Sequence, residues 1–285
     1  MGAGDGAIFA RRNVTAGGFT IPYLQGGAQR DMDPVLVLHG LGGAGKWESF
    51  HMALGTVTLT LLPQLPGWPA GEALAGIGAV RDYAAVMAAF LDAVELPKVA
   101  VVGHSVGGWV AQYLAAEHPE RVSRLVLIDA MGLDVPDAPT ADLGTLDEDA
   151  FAARTFAKLG LIATAQAYGF GAEWENVRKG PEFERQWKGR TLLAKLAGGR
   201  YGDPALTAAM QAVRTPTLLV WGQHDGIVPL RHGELLHQWI PESQLAVVDR
   251  AGHLPMIERP ETVNRLVRDW FMGAGEPLPG VTAVR

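Results

Sequence analysis

Val99-Ala100-Val101-Val102-Gly103-His104-Ser105-Val106-Gly107-Gly108-Trp109 reads as a buried strand, a sharp turn and the start of a helix, with a serine at the bend. The apolar run up to Val102 is what a parallel strand covered on both faces shows. Val110, Tyr113 and Leu114 then recur at helical spacing through Glu117. A serine held at positive φ stores about 1–3 kcal/mol of strain. The turn therefore needs Gly103 and Gly107, where side chains would collide across the bend, and Gly108, which lets the helix approach the sheet. The hydroxyl projects away from the sheet beside the free N–H groups of the helix start, which favour negative charge on an attacked carbonyl. The G-x-S-x-G pentapeptide alone also admits a tight strand-to-helix turn with a capping serine, so the flanking sequence decides.

Upstream, 1–17 reads as a loose arm, Phe19–Leu24 as a strand whose Pro22 suits an edge, and Val35-Leu36-Val37-Leu38 as a buried strand. The last delivers the glycine-rich His39-Gly40-Leu41-Gly42-Gly43, which has neither the Lys-Ser/Thr ending nor the G-x-G-x-x-G spacing of a phosphate loop. Val57–Leu62 is a further strand, closed by the Pro63–Gly67 turn, and Val80, Tyr83, Ala84, Met87, Leu91 and Val94 share one helix face. Downstream, Leu125–Asp129 is another buried strand. The alternation then breaks: 131–213 carries helices around Asp149–Tyr168, Pro181–Leu196 and Pro204–Val213 without a strand. Thr217–Trp221, Leu235–Ile240, Leu245–Val248 and the amphipathic Val263, Leu266, Val267 and Trp270 restore it. The expected fold class is α/β, a mostly parallel doubly wound sheet built from 18–130 and 214–272, with a helical insertion at 131–213 and flexible termini at 1–17 and 273–285.

With 285 residues, 48% hydrophobic and 19% charged, the chain can bury a large core. A formal charge of −6 without a basic cluster argues against nucleic acid. The absence of cysteine removes disulfides, thiolate metal sites and a cysteine nucleophile. No run approaches the ~20 apolar residues of a membrane span, and the N-terminus lacks the basic start and apolar stretch of a signal peptide. The expectation is a cytoplasmic protein with no membrane partner.

An acid and then a histidine should follow a catalytic serine of this kind at later strand ends. Trp221-Gly222-Gln223-His224-Asp225 places Asp225 just past one strand, and Ala251-Gly252-His253 places His253 just past the next. In a parallel sheet these loops share the edge that carries Ser105. His253 would take the serine proton and Asp225 would orient the imidazole. Asp129, at the end of Leu125–Ile128, is the alternative acid. Val106 N–H, with Leu41 N–H from the loop after His39, would form the oxyanion hole. His39, His104 and His224 read as structural, the other histidines show no metal-ligand spacing, and no metal is expected. Trp47, Trp109, Trp174 and Trp187 are core residues or pocket walls.

On His39-Gly40, Gly103-His104-Ser105-Val106-Gly107-Gly108, Trp221-Gly222-Gln223-His224-Asp225 and Gly252-His253-Leu254-Pro255-Met256-Ile257-Glu258, the chain resembles the α/β-hydrolase superfamily over about residues 18–272. It is most similar to the cap-bearing esterases, lactonases and carbon–carbon bond hydrolases. Gln64 departs from the D-x-P-G turn of many relatives. The resemblance implies that 131–213 is a cap, that no cofactor is needed, and that a small carboxylic ester or lactone is cleaved through an acyl-serine. Excising the cap should then alter selectivity and leave some activity on a small activated ester. Carbon–carbon hydrolysis of a dienoic keto acid stays open, with Arg190 the carboxylate anchor and Trp109 a pocket wall. So do a thioesterase, a cofactor-free oxygenase and, in a different class, a ligand receptor that turns over slowly. Oligomeric state is not legible.

Overall fold

The computed structural model describes residues 10–28, 32–68, 74–157, 180–273 and 280–284. Nine strands form one sheet in the order β1 (Ala10–Ala16), β2 (Phe19–Gly26), β4 (Thr60–Pro63), β3 (Val35–Leu38), β5 (Val99–His104), β6 (Val122–Ile128), β9 (Thr217–Gly222), β10 (Ser243–Val248) and β11 (Val281–Val284). Pairing is parallel from β4 through β10, while β1, β2 and β11 run antiparallel to their neighbours. The central strands are apolar because both faces are covered: Val35 to Leu38 and Val99 to Val102 are all buried.

Two apolar layers flank the sheet. On one face lie α2 (Asp82–Ala93) and α3 (Val106–Glu117), with Tyr83, Met87, Phe90 and Val110 in the larger core. On the other, α1 (Ser49–Gly55) packs with α7 (Pro260–Phe271) through Phe50, Leu54, Val263 and Val267. The alternation of sides along β5 explains this: Val101 belongs to the first layer, and Ala100 and Val102 to the second.

Two described stretches depart from the expected flexible termini. Ala10–Ala16 pairs along its whole length with β2, and Val281–Val284 pairs with β10. The exposed pattern of β1 hides it from a search for apolar alternation, since its backbone and not its side chains joins the sheet. β1 also moves Pro22 off the edge: Pro22 stands opposite Asn13, and its carbonyl accepts the Gln64 N–H at 2.8 Å.

Between β6 and β9, the described residues hold α4 (Glu148–Thr155), α5 (Pro181–Ala197) and α6 (Pro204–Met210). Asp147 caps α4 by accepting from Ala150 N–H at 2.8 Å, and Asp203 caps α6 by accepting from Ala205 N–H at 2.7 Å. The stretch is not free of strands, because β7 (Gly132–Leu133) and β8 (Gly202–Asp203) pair in parallel and close its base. The expected helix 149–168 ends at Thr155, where Phe156 turns extended at φ −111° and ψ 139°; residues 158–168 and Trp174 lie outside the described residues.

Candidate active site

Ser105 sits between β5 and α3 with φ 55° and ψ −119°, the strained bend that the motif predicts. Its backbone is fastened to the neighbouring strand end: Ser105 N–H donates to Ile128 O and Met131 N–H to Ser105 O, each at 3.1 Å. A Cβ on Gly103 would lie 2.6 Å from Gly107 O, and one on Gly107 would lie 2.1 Å from Leu38 O. The first contact is the clash across the bend; the second shows that Gly107 is small because α3 abuts β3.

The strand ends bring the three predicted side chains together. Ser105 Oγ donates to His253 Nε2 at 2.8 Å, and His253 Nδ1–H donates to Asp225 Oδ2 at 2.8 Å. The other oxygen of Asp225, whose side chain is fully buried, accepts from Ile227 N–H at 2.8 Å and Val228 N–H at 3.0 Å. Ser105 is 1% exposed and His253 5%, so little water competes for these bonds.

Asp129, the alternative acid, holds a different place. Its Oδ1 accepts the Gly222 N–H at 2.8 Å, while Oδ2 is buried without a partner. Burial first, and then the negative charge of Asp225, holds its carboxyl well above the usual carboxylate range. Asp129, Asp225 and His253 offer atoms within 4.8 Å of one another, a set close enough for a cation. Asp225 and His253 already spend theirs on each other and on Ser105 and the Ile227 and Val228 N–H groups.

Neither the Leu41 nor the Val106 N–H donates to any described residue. Leu41 and Ser105 both line a cleft of about 100 Å³ that also meets Phe151 and Met256. Trp109 and Arg190 are not among the residues lining it. Trp109 is buried in the core on the α3 side of the sheet. Arg190 donates to the carbonyls of Leu143 and Leu146, and its guanidinium lies 3.4 Å from the Trp187 ring centroid. Helical spacing could not distinguish these uses from a pocket wall. From the insertion, Arg185 and Gln186 of α5 reach the cleft instead.

The neighbouring histidines are structural. His104 Nε2–H donates to the His253 carbonyl at 2.8 Å, and burial lowers its pKa to about 3. His232 donates to Ala138 O.

Sequence reasoning missed what holds the acid and histidine loops. The last turn of α4 supplies carbonyls to both: Gly226 N–H donates to Arg154 O at 3.0 Å and His253 N–H to Thr155 O at 2.7 Å. Glu258, at the end of the Gly252–Glu258 motif, accepts from Ala157 N–H at 2.9 Å and from Gly252 N–H at 2.5 Å. Burial pushes its carboxyl up to about 7 against these two donors.

The model of the α/β hydrolase fold family matches residues 33–260. A 2-hydroxy-6-oxononadienedioate/2-hydroxy-6-oxononatrienedioate hydrolase of Pseudomonas putida is 28% identical over 250 residues, covering 84% of this chain and 88% of the relative. Among solved structures, a serine hydrolase from the polyaromatic-hydrocarbon-degrading bacterium Cycloclasticus zankles superposes with TM-score 0.74 at 21% identity, covering 93% of this chain and 98% of that one. A carboxylesterase from Bacillus subtilis does so with TM-score 0.67 at 21% identity, covering 94% and 93%. A family match over most of the sheet, on a chain whose strand ends converge at Ser105, means that the protein belongs to the α/β hydrolases.

Proposed function

We propose that the protein is a serine hydrolase of small carboxylic esters or lactones, working through an acyl-serine without a cofactor. One observation carries this reading: the unbroken hydrogen-bond chain from Ser105 Oγ through His253 to Asp225, with 2.8 Å at both links. As Ser105 Oγ attacks the ester carbon, its proton passes to His253 Nε2, and Asp225 stabilises the resulting imidazolium. The carbonyl oxygen gains negative charge opposite the Leu41 and Val106 N–H groups. The C–O bond then breaks, and the leaving alkoxide takes the proton from His253. Water repeats the sequence on the acyl-serine and restores Ser105. The small cleft suits a short acyl group, and residues 131–213 act as the cap that bounds it.

Carbon–carbon hydrolysis of a dienoic keto acid is the second reading, supported by the likeness to the Pseudomonas putida 2-hydroxy-6-oxononadienedioate/2-hydroxy-6-oxononatrienedioate hydrolase. On this reading the cationic group meeting a substrate carboxylate is Arg185, on the cleft wall, and not Arg190.

A fluorophosphonate probe followed by peptide mass spectrometry tests the nucleophile. Labelling is expected at Ser105 and absent from Ser105→Ala, whose kcat should fall by about 10⁴–10⁶. Labelling that persists in that variant sinks the assignment. A panel of p-nitrophenyl esters, lactones, thioesters and dienoic keto acids then ranks the readings. Single-turnover behaviour on every member would point to a receptor.

A further inference from the structure

His39 and Gln64 form a clamp on the loop that carries the Leu41 N–H. Gln64 Oε1 accepts the Ala44 N–H at 2.8 Å, which turns the amide nitrogen of Gln64 toward His39 Nε2 at 3.0 Å. Leu65 N–H donates to the same Nε2 at 3.0 Å. A backbone N–H can only donate, so Nε2 is the acceptor, and the ring proton sits on Nδ1. From there it is donated to the Gly40 carbonyl at 2.7 Å. Burial lowers the His39 pKa to about 4, so the ring is neutral and this tautomer is retained.

The Gly40 carbonyl belongs to the same peptide plane as the Leu41 N–H, and in a trans peptide the two point in opposite directions. Gripping the carbonyl therefore aims the N–H. Gly43 N–H bonds the same carbonyl at 3.2 Å, and Ala44 is tied to Gln64, so the loop is held at both ends.

We propose that Gln64 is a positioning residue for catalysis: by tying down Ala44 while donating, beside the Leu65 N–H, to His39 Nε2, it reinforces the His39 tautomer that grips the Gly40 carbonyl and so turns the Leu41 N–H toward the carbonyl oxygen under attack. The inference rests on the serine-hydrolase reading above, because only there does the Leu41 N–H meet developing charge. It assigns Gln64, which stands where many relatives carry an acid, a role that a carboxylate could not fill with a neutral His39: an ionised acid has no proton to donate to Nε2.

The test compares wild type, Gln64→Met and Gln64→Glu on p-nitrophenyl acetate and in the rate of fluorophosphonate labelling. Gln64→Met keeps the length and loses both bonds. Its kcat and labelling rate should fall together by about tenfold to a hundredfold, with KM within about threefold, as expected when a donor that acts in the transition state is misaimed. In Gln64→Glu, the carboxylate draws a proton onto His39 Nε2. The clamp then survives below the raised His39 pKa and fails above it, so activity should decline on the alkaline side where wild type holds its plateau. His51 and His104, the titratable groups coupled electrostatically to His39, are themselves buried with lowered pKa values. They add no competing ionisation there. A Gln64→Met protein that is labelled and turns over as wild type does overturns the clamp and leaves the hydrolase reading standing. A Gln64→Glu profile parallel to that of wild type also overturns it. Wild type unlabelled at Ser105 overturns both readings together.

Discussion

Ser105 stands on a bend held without α4, whereas the loops of Asp225 and His253, tied to strand ends through Gln223 N–H to Val248 O and His104 Nε2–H to His253 O, are held from outside the sheet as well by the last turn of α4. On the serine side, backbone bonds to Ile128 and Met131 and the packing of α3 on β3 suffice. On the other side, Arg154 O, Thr155 O and Ala157 N–H reach the acid loop, the histidine loop and Glu258 in turn. The difference assigns the insertion two tasks: it bounds the cleft, and it braces half of the site. Replacing 137–199 with a short Gly-Ser linker is therefore expected to cost nearly as much as losing His253, about 10⁴–10⁶ in kcat. The motif reading alone expects residual activity on a small activated ester. Appreciable turnover of p-nitrophenyl acetate by a linker variant whose circular dichroism retains the sheet would break the comparison.

Asp225→Asn sharpens it from inside the braced half. The amide still accepts the Ile227 and Val228 N–H groups, so the loop survives, but its nitrogen favours the wrong His253 tautomer. Turnover should fall by up to about 10⁴ with unfolding free energy little changed. A fall accompanied by an equal loss of stability would make Asp225 a loop anchor and not an orienting group.

Gly252→Ala strikes the brace without touching a reacting group. A Cβ there would lie 2.5 Å from Thr155 O, a backbone atom that cannot swing aside, so the histidine loop and α4 must separate. A displacement of His253 on the order of 1 Å costs about 10² in rate. The expected signature is a lower kcat on every ester of the panel; a change confined to large substrates would instead mean that α4 acts only as a cleft wall.

The division between self-held and braced halves also explains what was legible in the sequence. The elbow carries its pattern locally: Gly103 faces Gly107 and Gly108 within a few residues, so spacing exposes it, and Ser105 and Gly107, whose partners on other strands are distant in sequence, are found because they share the same pentapeptide. Asp225 and His253 were found by their order after strands, again a local signal. The brace was not, because Arg154 and Thr155 act through backbone carbonyls, for which any residue type serves. The same reason conceals β1, whose side chains are mostly exposed and whose contribution is a ladder of backbone bonds to β2. Trp109 and Arg190 failed as pocket residues for the opposite reason: their side chains are distinctive, but periodicity gives a face of a helix and not what that face meets.

The smallest expected effect comes from Asp129, which touches the braced half from the self-held side. Its Oδ1 takes the Gly222 N–H, its Oδ2 is buried, and one of its carboxylate oxygens lies within 4.8 Å of the Asp225 and His253 ligand atoms. An ionised Asp129 would add a second buried negative charge beside Asp225, and burial together with that charge keeps the carboxyl protonated well above its usual range. Asn is then close to an isostere: its oxygen still accepts from Gly222, and its NH₂ can turn toward Asp225. Asp129→Asn should retain kcat within about threefold, against the loss of up to about 10⁴ in Asp225→Asn. The sign of the stability change follows from linkage. A carboxyl whose folded pKa is raised binds its proton more tightly in the native state, so wild type loses stability as pH rises from the unfolded value of 3.8 toward the folded one. Asn carries no such ionisation. The variant should therefore gain on wild type as pH rises, with the two profiles closing again near pH 4. Urea denaturation at pH 4 and pH 8 reads that difference directly. A variant that instead loses ground at pH 8 would show that Asp129 is ionised in the native protein, and that Asp129 and Asp225 share the orienting role.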